Sequence, residues 1–321
     1  MCSSDLVALA DGAPGDGLAE LELLLGLRVE AVPVSEIDVP GVLVKAHQLL
    51  RRRARPTGAA ERPAGAEAPN GPDLAALGVP DAILRRLRKL LPGLLLLSGP
   101  GRSGKTTTLR ALAQDLRREG LRVAVLDRTH GIASLEDALA GDPDAVAIDE
   151  TASPAVAGRA LRAAVEGRRI VMAFAASDSL AALARLGGFK VDPHLVATAL
   201  RAGLNQRLLS GVCPDCAELN PEDPLVLEDL RLDRLLRSVP LKRGRGCASC
   251  RKTGAKGHVA VFEYGERGSD GGLREGFQPL VADALGKLVA GRISLKELTE
   301  QVPFTQVLQA ADRLNVRKVS P

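Results

Sequence analysis

The sequence predicts an α/β protein: a parallel sheet with helices on both faces, then a small subdomain held by four cysteines, then a helical C-terminal region. Three observations lead to this prediction. An apolar run passes into a glycine-rich loop and a helical segment within residues 94–120. Strands and helices then alternate as far as residue 209, a pattern typical of parallel sheets. Two Cys-x-x-C pairs follow, at 213–216 and 247–250.

The glycine-rich loop has the sequence GPGRSGKT at 99–106, which matches the G-x-x-x-x-G-K-[ST] pattern of phosphate-binding (Walker A) loops. A predicted strand at 94–97 precedes it and a predicted helix at 107–119 follows, which is the context that the pattern requires. Glycines let backbone N–H groups approach phosphate oxygens, and a helix N-terminus favours the same anion. Lys105 suits the β- and γ-phosphates, and the Thr106 hydroxyl suits Mg²⁺. The alternative is a glycine-rich turn before a surface helix. The predicted nucleotide-binding residues are Gly99, Pro100, Gly101, Arg102, Ser103, Gly104, Lys105, Thr106 and Thr107.

The other elements of the core follow from short apolar runs and from apolar residues at a helical period. We predict strands at 122–127, 145–149 and 169–175, and helices at 73–91, 135–140, 154–167, 180–186 and 193–209. The C-terminal region is predicted to be helical over 280–316, with a break at Gly291 and an N-cap at Ser294.

The predicted strand at 145–149 ends in two acids, Asp149 and Glu150. Ligands of parallel sheets bind at the carboxyl ends of the strands. A carboxylate there can hold Mg²⁺, and a neighbouring one can orient the attacking water. We assign Asp149, together with Thr106, to Mg²⁺ and Glu150 to the water. The alternative is a solvated strand terminus.

The two cysteine pairs are Cys213/Cys216 and Cys247/Cys250. Each pair can form a tight turn that presents two thiolates, and four sulfurs satisfy a structural Zn²⁺. The separation, residues 217–246, exceeds that of common zinc ribbons, so we expect a helical excursion between the pairs. Free thiols or a redox pair are the alternatives. Cys2 is interpreted as an ordinary terminal residue, and the four histidines as surface or packing residues.

Composition limits the classes of function. Aromatic residues make up 2% of the chain and the net charge is +4, so a base-stacking surface for nucleic acid is disfavoured. No apolar run approaches the roughly 20 residues of a membrane span. The N-terminus lacks the features of a signal peptide, so we expect a cytoplasmic protein.

We divide the chain into five parts. Residues 1–53 form a small N-terminal unit, with predicted helices at 18–27 and 42–50 and a strand at 29–34. A Pro/Ala-rich linker at 54–72 follows. The nucleotide-binding core spans 73–210, the tetracysteine subdomain 211–263 and the C-terminal helical region 264–321.

The chain resembles the secretion ATPase superfamily, in its type II secretion and type IV pilus assembly branch (general secretion pathway protein E and its pilus counterparts). The likeness covers roughly residues 73–300. It is carried by the segments LLLLSGPGRSGKTTTLRALAQDL, GDPDAVAIDE, LRAGLNQRLLSGVCPDC and GCASCRKTGAKGHVAVFE. A weaker likeness at 21–37 is similar to the end of the family's N-terminal partner-docking domain.

This resemblance implies a RecA-like core that binds ATP and Mg²⁺, a Zn²⁺ in the tetracysteine subdomain and a homohexamer. It also implies a role at the inner membrane, where ATP hydrolysis drives platform proteins that extrude pilin or pseudopilin subunits. Glu150 falls at the family's strand-end glutamate, and Asp127 falls at an acid of the family's acidic box; both are expected to be catalytic.

The sequence also departs from the family pattern. Ala175 stands where the family has a histidine, and Ala152 where it has an arginine. The linker at 54–72 stands where the family has a second N-terminal domain, which supplies arginines to the active site. Loss of such cations lowers the rate of phosphoryl transfer by orders of magnitude. The candidate replacements are Arg128, Arg159 and Arg201.

Three functions follow. The first is an ATP-hydrolysing motor of type II secretion or type IV pilus assembly. The second is a nucleotide-binding paralogue that hydrolyses ATP poorly and serves as a structural or regulatory subunit. The third is a zinc-ribbon ATPase that depends on nucleic acid, which the scarcity of aromatic residues disfavours.

Overall fold

A computed structural model describes residues 5–10, 29–34, 72–127, 131–150, 153–219, 224–236, 239–268, 273–303 and 305–308. The chain divides into two compact units, Met1–Glu67 and Ala68–Pro321. In that part of the chain, no helix combines the length and the apolar composition needed to cross a membrane.

The first unit contains two strands, β1 (Asp5–Ala10) and β2 (Val29–Val34). They pair in parallel, with Asp5 opposite Val29. The predicted strand at 29–34 is therefore confirmed, whereas β1 was not predicted. The predicted helices at 18–27 and 42–50 lie outside the described residues, as does the linker at 54–72 apart from its last residue.

The second unit is built on a seven-stranded sheet with the order β11-β10-β7-β3-β6-β5-β4. Strands β4, β5, β6, β3 and β7 run parallel, while β10 and β11 are antiparallel additions beside β7. The strands of this sheet are β3 (Gly93–Gly99), β4 (Val123–Leu126), β5 (Ala145–Ile148), β6 (Arg169–Ala175), β7 (Leu200–Val212), β10 (Ala255–Arg267) and β11 (Leu273–Gln278). Two short strands, β8 (Ala217–Leu219) and β9 (Lys242–Gly244), form a separate antiparallel pair.

Helices connect the parallel strands and cover the sheet. They are α1 (Asp81–Lys89), α2 (Lys105–Arg118), α3 (Ile132–Ala140), α4 (Pro154–Val165), α5 (Ser179–Gly187), α6 (Pro193–Ala199), α7 (Pro224–Asp229), α8 (Asp233–Leu236), α9 (Leu280–Val289) and α10 (Leu295–Gln301). Helices α7 and α8 provide the helical excursion expected between the cysteine pairs. Gly291 has a φ of 68° between α9 and α10, and the Ser294 side chain caps α10, so the predicted break and cap are confirmed.

The predicted helix at 193–209 is wrong beyond Ala199. The chain leaves α6 there and enters β7, which is bonded to β3 on one side and β10 on the other. Leucine, alanine and arginine favour helices, and their spacing over 193–209 mimics a helical period. Pairing with two neighbouring strands overrides that local preference, because β7 is buried on both faces of the sheet.

Both faces of the sheet are buried under helices, as the alternation of residues along β3 shows. Leu94 and Leu96 belong to one apolar cluster, which includes residues of α4 to α6. Leu95 and Leu97 belong to another, which includes residues of α1 and α2. Successive side chains of a strand point to opposite faces, so an unbroken leucine run satisfies both layers. A third cluster packs α7 to α10 against β7 and β10.

Candidate nucleotide site and cysteine cluster

The phosphate-binding loop connects the carboxyl end of β3 to the start of α2. Gly99 has a φ of 157°, and a Cβ at this position would lie 2.4 Å from the carbonyl oxygen of Gln206 and from Ser103 Oγ. Gly104, the N-cap of α2, has a φ of 86°, which glycine adopts at low cost. As a glycine, Gly104 has no side chain to cap the first turn of α2. The loop therefore requires glycine at both ends, and the start of α2 is accessible to an anion.

Lys105 turns back over this loop. Its side-chain nitrogen donates to the carbonyl oxygens of Gly99, at 2.9 Å, and Pro100, at 2.8 Å. The residue is 4% exposed. The ammonium group is thus held inside the loop. Of the other predicted nucleotide-binding residues, Ser103 is buried, while Pro100, Gly101, Arg102 and Thr107 are exposed.

The two residues predicted to hold Mg²⁺ lie in contact, although 42 residues separate them in the chain. The Thr106 hydroxyl donates to Asp149 Oδ2 at 2.9 Å. Asp149 is buried and directly follows β5, and its backbone N–H donates to Leu126 at the end of β4. A hydroxyl and a carboxylate are oxygen ligands of the kind that Mg²⁺ takes. The donor set at the carboxyl ends of β3 and β5 therefore fits this ion.

Glu150 and Asp127 lie on the same edge of the sheet. Glu150 is partly buried and has a φ of 47°, a left-handed conformation that is uncommon for a residue with a side chain. Asp127 is exposed at the end of β4, the edge strand, three positions along the sheet from β3. The carboxylates predicted to be catalytic therefore follow β4 and β5, as the sequence places them.

Two buried amides on β7 bond the residues on either side of the phosphate-binding loop and were not predicted. Asn205 Nδ2 donates to Ser98 Oγ at 2.8 Å, and Thr108 Oγ1 donates to Gln206 Oε1 at 2.6 Å. Both amides are almost fully buried. One feature of the sequence could have indicated them. Two consecutive amides among apolar residues of a buried segment need hydrogen-bond partners.

Replacing Gln206 by methionine is expected to lower the free energy of unfolding by about 1–3 kcal/mol, because the Thr108 hydroxyl then remains buried without an acceptor. Urea unfolding measures the effect. The matched control is Thr108→Val, alone and combined with Gln206→Met. The double variant should lose less stability than the sum of the losses in the two single variants, because both substitutions remove the same hydrogen bond. Strict additivity would contradict this account.

The family positions that depart from the pattern can be located in part. Ala175 ends β6 directly opposite Gly99, and the next backbone N–H donates to the Gly99 carbonyl oxygen. Ala175 therefore borders the phosphate-binding loop with a side chain that cannot donate a hydrogen bond. Ala152 and Arg128 lie outside the described residues. Of the four histidines, His194 and His258 are exposed and the other two lie outside the described residues.

The candidate arginines that the structure describes lie elsewhere. Arg159 Nε bonds Glu136 at 2.9 Å on the neighbouring helix α3. Arg201 Nε donates to the carbonyl oxygen of Pro92, ahead of the first residue of β3, at the opposite edge of the sheet from the loop. Arg201 is therefore not placed to reach the phosphate-binding loop of its own chain, and Arg159 is engaged by an acid of α3.

The four predicted zinc ligands form a cluster whose sulfur atoms all lie within 4.8 Å of one another. The sulfur–sulfur separations are 4.0 Å for Cys213–Cys247, 3.8 Å for Cys216–Cys250 and 3.7 Å for Cys247–Cys250. With Zn–S bonds of about 2.3 Å, the corners of a tetrahedron lie about 3.8 Å apart. The sulfur positions therefore fit a tetrahedral Zn²⁺.

Backbone N–H groups point at two of these sulfurs. Those of Cys247 and Gly254 donate to the sulfur of Cys250, at 3.2 and 3.3 Å, and that of Gly246 donates to the sulfur of Cys216 at 3.3 Å. The N–H of Cys247, aided by that of Gly254, lowers the pKa of Cys250 to about 6. Burial raises the pKa of Cys216. Four thiolates this close together would repel one another, and a bound Zn²⁺ would neutralise their charge.

Close backbone approach fixes the second cysteine turn. A Cβ on Gly244 would lie 1.9 Å from the carbonyl oxygen of Gly254, and one on Gly254 would lie 2.3 Å from that of Gly244. Neither position tolerates a side chain without movement of the backbone. The N–H of Cys213 also donates to the Gly254 carbonyl oxygen at 2.9 Å, so these glycines hold the two cysteine turns together.

A family model described as "Type II/IV secretion system protein" matches residues 127–271, from Asp127 through the Asp149 strand end to all four cysteines. Type IV pilus assembly ATPase TfpB of Acinetobacter baylyi is 27% identical over 271 residues, covering 71% of this chain and 46% of that protein. Type II secretion system protein E of Klebsiella pneumoniae is 28% identical over 213 residues, covering 60% of this chain and 42% of that protein. Over these residues the chain is similar to ATPases of type II secretion and type IV pilus assembly.

Solved structures of secretion and pilus ATPases share its fold. The pilus retraction motor PilT with bound ADP matches with a TM-score of 0.51 at 18% identity, over 73% of this chain and 67% of that one. The Legionella pneumophila ATPase DotB matches with a TM-score of 0.52 at 16% identity, over 72% of this chain and 65% of that one. The chain spans less than half the length of the curated relatives named above.

Proposed function

We propose that this protein is a motor-type ATPase of type II secretion or type IV pilus assembly, which couples ATP hydrolysis to the extrusion of pilin or pseudopilin subunits. The contact between Thr106 and Asp149 carries the proposal. It joins the phosphate-binding loop to the strand-end acid over 2.9 Å, so that one Mg²⁺–triphosphate group can engage both. Relatives named as type II secretion and type IV pilus ATPases support the same class.

Each residue has a proposed role. The backbone N–H groups of 101–107 surround the phosphates. Lys105 exchanges its contacts with the carbonyl oxygens of Gly99 and Pro100 for contacts with phosphate oxygens. Thr106 and Asp149 hold Mg²⁺, which neutralises phosphate charge when bound. Glu150 orients the attacking water, and Asp127 supports it from the next strand. Gln206 positions α2 through Thr108 and does not contact the nucleotide.

The second candidate function is a nucleotide-binding subunit that hydrolyses ATP slowly. One observation favours it: Ala175 borders the loop opposite Gly99, where a histidine would add a donor to the phosphates. The described arginines Arg159 and Arg201 do not compensate within one chain. A neighbouring subunit can supply such a cation, and an arginine supplied from outside is worth several orders of magnitude in rate.

We also propose the wider assembly. The chain forms a homohexamer of RecA-like cores in the cytoplasm and works against platform proteins of the inner membrane, without nucleic acid. Residues 73–210 act as the ATPase core, 211–263 as a subdomain stabilised by Zn²⁺ and 264–321 as a C-terminal region. The predicted helical character of that last region holds for α9 and α10 but not throughout, because β11 and the end of β10 also lie in it. Residues 1–53, joined by the linker at 54–72, act as a docking unit.

The Lys105→Ala substitution is expected to weaken Mg-ATP binding by roughly tenfold to a hundredfold, since it removes a charge-assisted contact to the phosphates. The measurements are nucleotide binding by titration and steady-state phosphate release on an assembled sample. Arg110→Ala, an exposed cation on the same helix, is the matched control. Binding that depends on Lys105 with no phosphate release above the variant's background would favour the second candidate. Mg-ATP binding that is unchanged in the Lys105→Ala variant would refute both candidate functions.

A further inference from the structure

A cleft, which we call the basic cleft, lies at the opposite edge of the sheet from the phosphate-binding loop. Its volume is about 740 Å³. It is bounded by α1, by the first residues of β7 and by the last residues of β10. Because β7 begins opposite Leu94, the length of β3, roughly 20 Å, separates the cleft from the loop. Its volume lies within the range typical of sites for small ligands.

The lining of this basic cleft is strongly positive. Five of the described residues that line it are cationic and one is acidic, which leaves a formal net charge of +4. The acid, Glu266, is already engaged, because its carboxylate accepts from Arg86 and from the Tyr264 hydroxyl, each at 3.0 Å. The cationic residues are Arg85, Arg86, Lys89, Arg201 and Arg267.

Among the described residues, two of the cations have no hydrogen bond to an acid. Arg201 donates only to backbone carbonyl oxygens among the described residues, those of Pro92, Thr198 and Leu200. Arg267 Nε is buried with no hydrogen-bond partner in the described part of the chain. Burial and the charge of Arg267 lower the pKa of Arg201. Two like charges thus lie close together and repel each other, and a bound anion would offset that repulsion.

The charge density indicates the class of anion. Guanidinium groups match phosphate oxygens with paired donors. A diphosphate group brings about three negative charges into a small volume, whereas a peptide carboxylate brings only one. Apolar side chains of Leu90, Leu91 and Leu200 complete the lining, so the cleft can also contact an organic group attached to the phosphates.

We propose that this cleft is a second anion site, which binds a compact phosphate compound with two or more phosphoryl groups. The site is separate from the phosphate-binding loop, and the proposal does not depend on ATP hydrolysis at that loop. Its ligand is either an inorganic oligophosphate or the diphosphate of a nucleotide, and the two share the same recognition chemistry.

The test uses the full chain carrying Lys105→Ala, which impairs phosphate binding at the loop. Isothermal titration with inorganic pyrophosphate should detect a single site per chain. Adding Arg85→Ala and Lys89→Ala, two exposed residues of α1, should weaken that binding roughly tenfold or more. The matched control adds Arg110→Ala and Arg162→Ala instead, which removes the same charge from exposed helix positions elsewhere and should change the affinity less than about twofold. Thermal unfolding should confirm that each variant is folded.

The outcomes separate the possible ligands. Pyrophosphate binding that depends on Arg85 and Lys89 supports the site. ADP that binds more tightly with the same dependence identifies a nucleotide, and ADP that binds no better identifies an oligophosphate. No pyrophosphate binding, or equal losses in the two pairs of variants, overturns the proposal. A short polyglutamate peptide that binds more tightly than pyrophosphate also overturns it, because the cleft would then be a docking site for an acidic protein segment.

Discussion

The Cys216→Ser substitution is expected to remove zinc from the protein and to lower the free energy of unfolding by more than about 5 kcal/mol. Structural zinc sites contribute about 10–16 kcal/mol in small domains, and a three-sulfur site loses much of that. Here the metal would join residues of two distant turns, with sulfur atoms 3.7–4.0 Å apart. Without it, the three remaining cysteines and the new serine lie in contact with no cation between them.

The loss is expected to spread from the cysteine turns into the sheet. Val212, next to Cys213, pairs with Ala255, and the β7–β10 ladder then continues as far as Ala202 opposite Glu266. The cysteine cluster closes the free end of that ladder. Amide hydrogen exchange in the Cys216→Ser variant should therefore increase first at 208–212 and 255–260, while β3 and β6 remain protected.

Three measurements check this expectation. Metal analysis of the purified protein should give about one zinc per chain, which Cys216→Ser abolishes. Thiol titration should find the four cysteines unreactive until a chelator is added. Cys2→Ser is the matched control and should leave zinc content and stability unchanged. A metal-free protein with full stability, or thiols that react freely without a chelator, would instead indicate free or redox-active cysteines.

The sequence was most informative where chemistry and local structure require the same residues. The glycines of the loop, the acids after β5 and the two Cys-x-x-C pairs all have few structural alternatives, because each needs a particular residue at a fixed spacing. Most predicted elements between residues 94 and 187 match the observed ones within a few residues. These segments alternate clearly between buried strands and amphipathic helices.

Prediction failed where pairing at long range decides the structure. Residues 200–209 have the composition of a helix, yet they form the middle of the sheet between β3 and β10. Strand β10 went unpredicted for the same reason, since its partner lies more than 40 residues away. Asn205 and Gln206 lie on β7, which was predicted to be a helix. Local sequence therefore could not indicate that they contact Ser98 and Thr108.

The Lys287→Met substitution is expected to lower the free energy of unfolding by about 3–5 kcal/mol at pH 8, because it leaves the Asp283 carboxylate buried without its partner. Lys287 Nζ lies 2.6 Å from Asp283 Oδ2 on α9, and both side chains are less than a tenth exposed. The ammonium group also donates to the carbonyl oxygens of Gly78 and Ala260 and lies over the Phe262 ring. The pair therefore joins α9 to β10 and to the segment before α1.

The pH dependence of the variant distinguishes this mechanism from lost packing. Burial already raises the pKa of Asp283, and Lys287 opposes that rise. Without the lysine, the folded-state pKa of Asp283 rises further above its unfolded value of about 3.9. A raised folded-state pKa means that stability is greatest below the unfolded value and is lost as the pH rises through the folded value. The defect should therefore shrink between pH 8 and pH 4.

Two matched variants separate the effect of the buried charge from that of a lost ion pair in general. Lys296→Met breaks an exposed pair of the same spacing, in which Lys296 lies 3.8 Å from Glu300, and should cost less than about 1 kcal/mol. Adding Asp283→Asn to Lys287→Met keeps an acceptor for the Phe262 N–H, which donates to Asp283 at 2.8 Å, and removes the buried charge. The double variant should recover part of the stability and lose the added pH dependence. If urea unfolding shows the same deficit at both pH values for Lys287→Met, the loss comes from packing and not from the uncompensated charge.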